Sequence, residues 1–151
     1  MTGGSEHDIA VKQAIYAALA DTGRAPDSRE VAETLSLPEP DVLAAFDRLH
    51  RQRLLVPEPG QPSRIRMAPP FSGVPTAFRV HARDRGYFAN CVWDALGIAA
   101  ALHANAVVDA SDGHTGEPLS LAVTRDGPLP SSLVAHFAVP AAHWWDDILH
   151  T

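Results

Sequence analysis

The 151 residues contain a single cysteine, Cys91, so no internal disulfide can form. That fits a reducing compartment and leaves stability to packing and hydrogen bonds. Positive charge is scarce as well. Twelve Lys and Arg stand against eighteen Asp and Glu, a formal net charge of −6, and Lys12 is the one lysine. A field of that sign does not draw a chain toward a nucleic-acid backbone or an anionic membrane. No apolar run approaches the roughly 20 residues of a membrane span. Residues 1–8 have neither the basic nor the apolar region of a signal peptide. These absences together lead to the expectation of a cytoplasmic protein with no membrane partner.

What is present is enough for a core. Hydrophobic residues make up 46% of the chain and charged ones 20%, which is not a disordered composition. Thirteen prolines divide it into short elements. Residues 1–7 read as a flexible tail. From Asp8, Val11, Ile15 and Leu19 recur at four-residue steps, with Gly23 as the stop, which predicts a first helix. Asp27 and Glu30 form a capping-box pattern ahead of a short second helix with Val31, Ala32 and Leu35. Val42, Phe46 and Leu49 give a third. Residues 54–56 and 65–67 then read as two strands about a Pro- and Gly-rich turn.

Three helices followed by a β-ribbon is the outline of a winged helix-turn-helix, and such outlines invite a DNA-binding reading. The third helix argues against it. Asp41 and Asp47 cancel Arg48 and Arg51, whereas phosphate contact needs a net basic face. A structural or capping role fits that helix better than nucleic acid does.

Past a linker at residues 67–70, the second half reads as a proline-rich turn at 71–75, a turn at 84–86, strands at 76–81, 106–110, 119–124 and 132–139, and one helix from about residue 90 to 103. The expected fold class is α+β. A three-helix winged-helix-like region occupies residues 1–67. Residues 68–151 form a mostly antiparallel sheet with a packed helix that carries the cysteine.

That helix holds the most suggestive chemistry. Asn90 is a good N-cap residue, which would put Cys91 at the first helical position, among unpaired amides that favour a thiolate. Asp94, three residues on, shares a helix face with the sulfur. A thiol beside a carboxylate at a helix start is a nucleophile–acid pair. A lone cysteine among Trp, Val and Leu is also a common small buried hydrophobe, and position alone leaves both readings open.

Residues 71–76 (Phe-Ser-Gly-Val-Pro-Thr), the Cys-x-x-Asp of Cys91 and Asp94, and residues 115–121 (Thr-Gly-Glu-Pro-Leu-Ser-Leu) resemble the organomercurial (alkylmercury) lyase family. So does the order of parts, a winged-helix-like region ahead of a catalytic module. The resemblance implies protonolytic cleavage of carbon–mercury bonds to a hydrocarbon and Hg(II), in mercury detoxification, with no organic cofactor. It implies that Cys91 is the mercury-binding thiol and Asp94 the acid that protonates carbon, with Cys91 and Asp94 together forming the mercury site. It further implies an organomercurial as the small-molecule partner, and a small thiol or mercuric reductase as acceptor of Hg(II).

The residue types suit such chemistry. Mercury(II) is soft and prefers thiolate to nitrogen or oxygen. A carbon–mercury bond breaks only as its carbon is protonated, because the alternative leaving group is a carbanion. Asp94 can serve only if a water-poor pocket raises its pKa, and Phe88 and Trp93 are the residues expected to exclude water.

One departure from the family stands out. Members carry a second cysteine soon after a segment like residues 143–148, and the 151 residues do not contain it. The expectation is that the chain continues past Thr151 with a second cysteine or selenocysteine, or that a small thiol supplies the second thiolate. The alternative is a non-catalytic, thiol-dependent metal-binding or regulatory protein with a winged-helix domain. Zinc held by His81, His103, His114, His136, His143 and His150, and a Cys–His hydrolase, are weaker readings, since no spacing matches a zinc signature or a nucleophile elbow.

The balanced third helix generates a direct expectation. Fluorescence anisotropy at physiological salt should show no sub-micromolar, sequence-selective DNA binding. Selective binding lost in Arg48→Ala or Arg51→Ala would overturn that reading.

Overall fold

The computed structural model describes residues 6–150. It is a mixed fold in which four helices pack on an eight-stranded, wholly antiparallel sheet. Most of the tail expected at residues 1–7 lies outside the described residues, and Glu6 and His7 already belong to the first helix.

Helices α1 (Glu6–Thr22), α2 (Ser28–Leu35) and α3 (Glu39–Arg51) follow the periodicity of the sequence. The first buries Val11, Ile15 and Leu19, and the third buries Val42, Ala45, Phe46 and Leu49. Asp27 caps α2 with a complete capping box: its carboxylate accepts from the Glu30 amide at 2.9 Å, and Glu30 accepts from the Asp27 amide at 2.8 Å. Both arginines of α3 are engaged within the protein. Arg48 donates from Nε and Nη2 to the buried Asp8 carboxylate at 2.6–3.1 Å, and Arg51 pairs with Asp47.

The strands are β1 (Val56–Glu58), β2 (Gln61–Ala68), β3 (Phe71–Ser72), β4 (Phe78–Ala82), β5 (Arg85–Ala89), β6 (Ala106–Ser111), β7 (Pro118–Thr124) and β8 (Gly127–Pro128). Their order across the sheet is β1-β2-β3-β5-β4-β6-β7-β8. The β1–β2 ribbon is therefore continuous with the sheet of the second half, joined through the two-residue β3. Phe71 pairs with Ala68 on one side and Ala89 on the other. The remaining helix, α4 (Val92–Leu102), buries Ala95, Ile98, Ala99 and Leu102 against β4, β5 and β6. One apolar cluster contains side chains from all four helices and from the sheet. No described helix is long and apolar enough to cross a membrane.

Three expectations change. The turn placed at residues 84–86 sits one step earlier, at Arg83 and Asp84, both with positive φ; Arg85 onward is strand. Residues 71–72, read as a turn, form β3. The strand expected at 132–139 does not form. Leu129 makes a further bond beyond β8, donating to the Ala122 carbonyl at 2.9 Å, and Pro130 has no N–H with which to continue. From there the chain leaves the sheet, to end in a 3₁₀ helix, Ala141–Asp146.

Aromatic contacts lock the α1 layer to the sheet. Tyr16 meets Phe71 edge-on at 6.2 Å between centroids, and Phe71 meets Tyr87 at 5.7 Å. Tyr87 is buried and donates to the Ala20 carbonyl at 2.9 Å, and Tyr16 donates to the Pro69 carbonyl at 2.7 Å. Tyr87→Phe keeps the ring but leaves a half-buried acceptor without its partner. It should cost about 1–2 kcal/mol in urea denaturation, with an unchanged m-value.

Candidate functional site

Residues 71–76 shape the approach to the cysteine. Gly73 donates to the Arg66 carbonyl at 2.7 Å, and a Cβ at that position would lie 2.0 Å from the Ile65 carbonyl oxygen. Only glycine permits so close a passage of two backbones. Ser72 accepts from the Val74 amide at 3.3 Å. Thr76 donates from Oγ1 to the Ala89 carbonyl at 2.6 Å, pinning the residue just before Asn90. The segment is a brace for the end of β5.

Beyond β5 the helix start differs from the one expected. Cys91, not Asn90, is the N-cap, with extended φ −152° and ψ −179°. The amides of Trp93 and Asp94 face its sulfur and favour the thiolate, although neither closes a capping hydrogen bond onto it. Asn90 is turned to another use. Its Nδ2 donates to Asp94 Oδ2 at 2.8 Å and to the Phe71 carbonyl at 3.3 Å, while its Oδ1 is buried with no partner. The spacing of four between Asn90 and Asp94 could have revealed this contact.

Cys91 and Asp94 line one cavity of about 570 Å³. Burial pushes the Asp94 carboxyl up, against the Asn90 hydrogen bond that pulls it down. Burial also pushes the Cys91 thiol up, and the Asp94 charge adds to that, outweighing the helix amides. Tyr16 reaches this neighbourhood from α1, a link no local pattern signals. Its phenol is pushed up to about 12, first by burial and then by the negative charge of Asp94.

Val74, Phe78 and Val92 supply apolar wall, and the segment after β8 closes the opposite side with Phe137, Val139, Trp144 and Ile148. Phe137 and Trp144 stack at 5.5 Å, and Trp144 Nε1 donates to the Val139 carbonyl at 2.9 Å. The two residues expected to exclude water do not both do so. Trp93 stands at the rim, 63% exposed, and Phe88 lies outside the cavity beneath the Arg79 guanidinium, 5.7 Å from its ring centre. The third segment of the resemblance, residues 115–121, is also outside it. There Asp112 Oδ1 accepts from the His114 and Thr115 amides at 2.9 and 2.7 Å and shapes the β6–β7 turn. Among the described residues no group of three or more His, Cys, Asp or Glu is placed to hold a metal ion.

A thiol and a carboxyl sharing a largely apolar cavity can take a soft electrophile at sulfur and return a proton beside it. A profile of the family described as alkylmercury lyase matches residues 71–150, more than half of the chain. Among solved structures the chain is similar to the mercury-bound form of MerB2, with 22% identity and a TM-score of 0.67, over 84% of this chain. It spans 60% of the length of that chain. No curated protein matches it.

The electrostatics predict how Cys91 reacts with iodoacetamide. Its rate-against-pH midpoint should lie above that of an ordinary thiol. In Asp94→Asn the midpoint should fall, because a like charge is removed, yet stay above ordinary because the burial remains. A midpoint unmoved by Asp94→Asn would show that the two groups do not interact.

Proposed function

The chain belongs to the alkylmercury lyase family, and from that premise we propose that it captures organomercurials on Cys91 and cleaves their carbon–mercury bond with a proton from Asp94. The observation that carries this reading is the shared cavity, in which burial favours a protonated Asp94 three residues from the thiol.

The steps follow from charge balance. Exchange of R–Hg–X with the Cys91 thiol breaks Hg–X, forms Hg–S, and releases the thiol proton with X. Asp94 then delivers a proton to the carbon. The electron pair of the C–Hg bond becomes the new C–H bond, so mercury stays Hg(II) and nothing is oxidised or reduced. Asn90 acts as a positioning residue. Anchored on the Phe71 carbonyl, it fixes Asp94 Oδ2 at the start of α4, and its amide lowers the proton affinity that burial raises.

A single thiolate leaves mercury in a stable linear adduct, whereas a second makes it electron-rich and weakens its bond to carbon. Cys91 is the one thiol of these 151 residues, so the second comes from outside them. A small thiol in a reducing cytoplasm fits that role, and a thiol or mercuric reductase fits as the acceptor of Hg(II). We also read α1–α3 with the β1–β2 ribbon as a winged-helix-like unit, residues 1–67, that serves the module of residues 68–151 by covering it. Tyr16 and the engagement of Arg48 and Arg51 with carboxylates support that role over DNA contact.

The two steps should depend on pH in opposite senses. Capture should rise as pH climbs through the elevated Cys91 pKa, since the thiolate is the nucleophile. Cleavage of a preformed adduct should fall as pH climbs through the elevated Asp94 pKa, since the carboxyl must hold its proton. Mass spectrometry reads the first, and gas chromatography of released hydrocarbon reads the second. Cys91→Ser should lose the adduct. Asp94→Ala should keep it and release no hydrocarbon, with or without excess thiol. Asn90→Ala should move the falling limb to higher pH. An adduct that never releases hydrocarbon, even with thiol, would favour a thiol-dependent binding protein instead.

A further inference from the structure

The cavity wall contains a cation that neither capture nor protonolysis uses. Arg66 lies in β2, its carbonyl tied to the Gly73 amide at 2.7 Å and its strand held between β1 and β3. Its guanidinium is only loosely paired. Nη1 lies 3.3 Å from both oxygens of Glu58, longer than the 2.7–2.9 Å usual for a charge-assisted bond. Its Nε is buried and has no hydrogen-bond partner. Buried N–H groups are nearly always satisfied, so one left without a partner among the described residues, on a side chain that lines a cavity, needs an explanation. Among the described residues Arg66 is also the only Arg or Lys lining that cavity, while Asp94, the one side-chain carboxyl among them, is pushed toward its neutral form.

From these facts we infer that Arg66 forms an anion subsite in the Cys91 cavity, which takes a carboxylate carried by the incoming mercurial. The inference rests on the capture reading above and adds the class of substrate. About a third of the Arg66 side chain is exposed, and turning off its long contact with Glu58 lets the guanidinium present parallel N–H groups, the geometry a carboxylate accepts with both oxygens. The largely apolar wall strengthens such a pair by keeping water away. The carboxylate has two chemical sources. It is carried either on the organic group bound to mercury or on the thiolate X that leaves when Cys91 attacks. In both cases the charge pair orients R–Hg–X before exchange, without contributing an atom to it.

The test measures second-order rates of Cys91 adduct formation by mass spectrometry, at fixed pH and ionic strength. One arm compares 4-mercuribenzoate with phenylmercury, which differ by the carboxylate on the organic group. The other compares phenylmercury bound to 3-mercaptopropionate with phenylmercury bound to 2-mercaptoethanol, which places the carboxylate on the leaving thiolate. The protein should prefer the carboxylated member by about tenfold in at least one arm, and that arm identifies the source. Arg66→Met should reduce the preference to about one while leaving the rate with the uncharged member unchanged, which also shows that the cavity is intact. Arg66→Lys should keep part of the preference, and Glu58→Gln, which removes the competing acceptor, should increase it. Equal rates in both arms, or a preference that survives Arg66→Met, would overturn the subsite while leaving capture by Cys91 standing. No adduct on Cys91 with any of the four would overturn the capture reading and the subsite with it.

Discussion

The structure depends most on the junction at Phe71. Its backbone joins β2 to β5, and without that pairing the ribbon and the rest of the sheet would be separate. Its ring lies between Tyr16 and Tyr87, so the layer carrying α1 is fastened at the same point. Its carbonyl accepts from Asn90, which in turn holds Asp94. One residue thus ties the fold to Asp94. The arrangement is crowded by necessity, since Gly73 passes where no Cβ fits and Pro70 packs against α4 at Gly97. A site built on packed backbone holds its geometry better than one built on loops.

Desolvation is the main electrostatic influence on both Cys91 and Asp94, and it acts in opposite directions for the tasks proposed for them. It moves Asp94 toward the protonated form that carbon–mercury cleavage requires. It also moves Cys91 away from the thiolate that capture requires. The amides of Trp93 and Asp94 offset the second effect only in part. A soft metal relaxes the conflict, because mercury exchanges onto sulfur readily and the carbon–mercury bond is the one that resists. The cavity is therefore better suited to proton delivery than to general nucleophilic chemistry.

The segment beyond β8 closes the site without joining the sheet. Its backbone makes few bonds, and it is held by side chains instead: Phe137 on Trp144, Trp144 on the Val139 carbonyl, and Trp145 beneath the Arg53 guanidinium, 6.0 Å from its ring centre. Few backbone bonds and exposed residues mark a region of low local stability. It is the wall most able to move for a ligand, whereas the Phe71 side is rigid.

The sequence by itself determined the elements whose signals are local. Helical spacing at Val11, Ile15 and Leu19, the Asp27–Glu30 box, and the placement of Cys91 and Asp94 within one helical turn all depend on residues a few positions apart. Residues 71–76 and the Cys-x-x-Asp pair carried the family resemblance for the same reason. Only the tertiary structure decided the rest. It released Asn90 from capping to hold Asp94, because the helix starts one residue later, with Cys91 at the N-cap position. It kept residues 132–139 out of the sheet, because Pro130 ends the hydrogen bonding there. It brought Tyr16 within reach of the Asp94 charge and Arg66 into the cavity of Cys91, and left Phe88 outside. Such contacts follow from which strands pair and which faces are buried, and neither is encoded in a spacing that can be read along the chain.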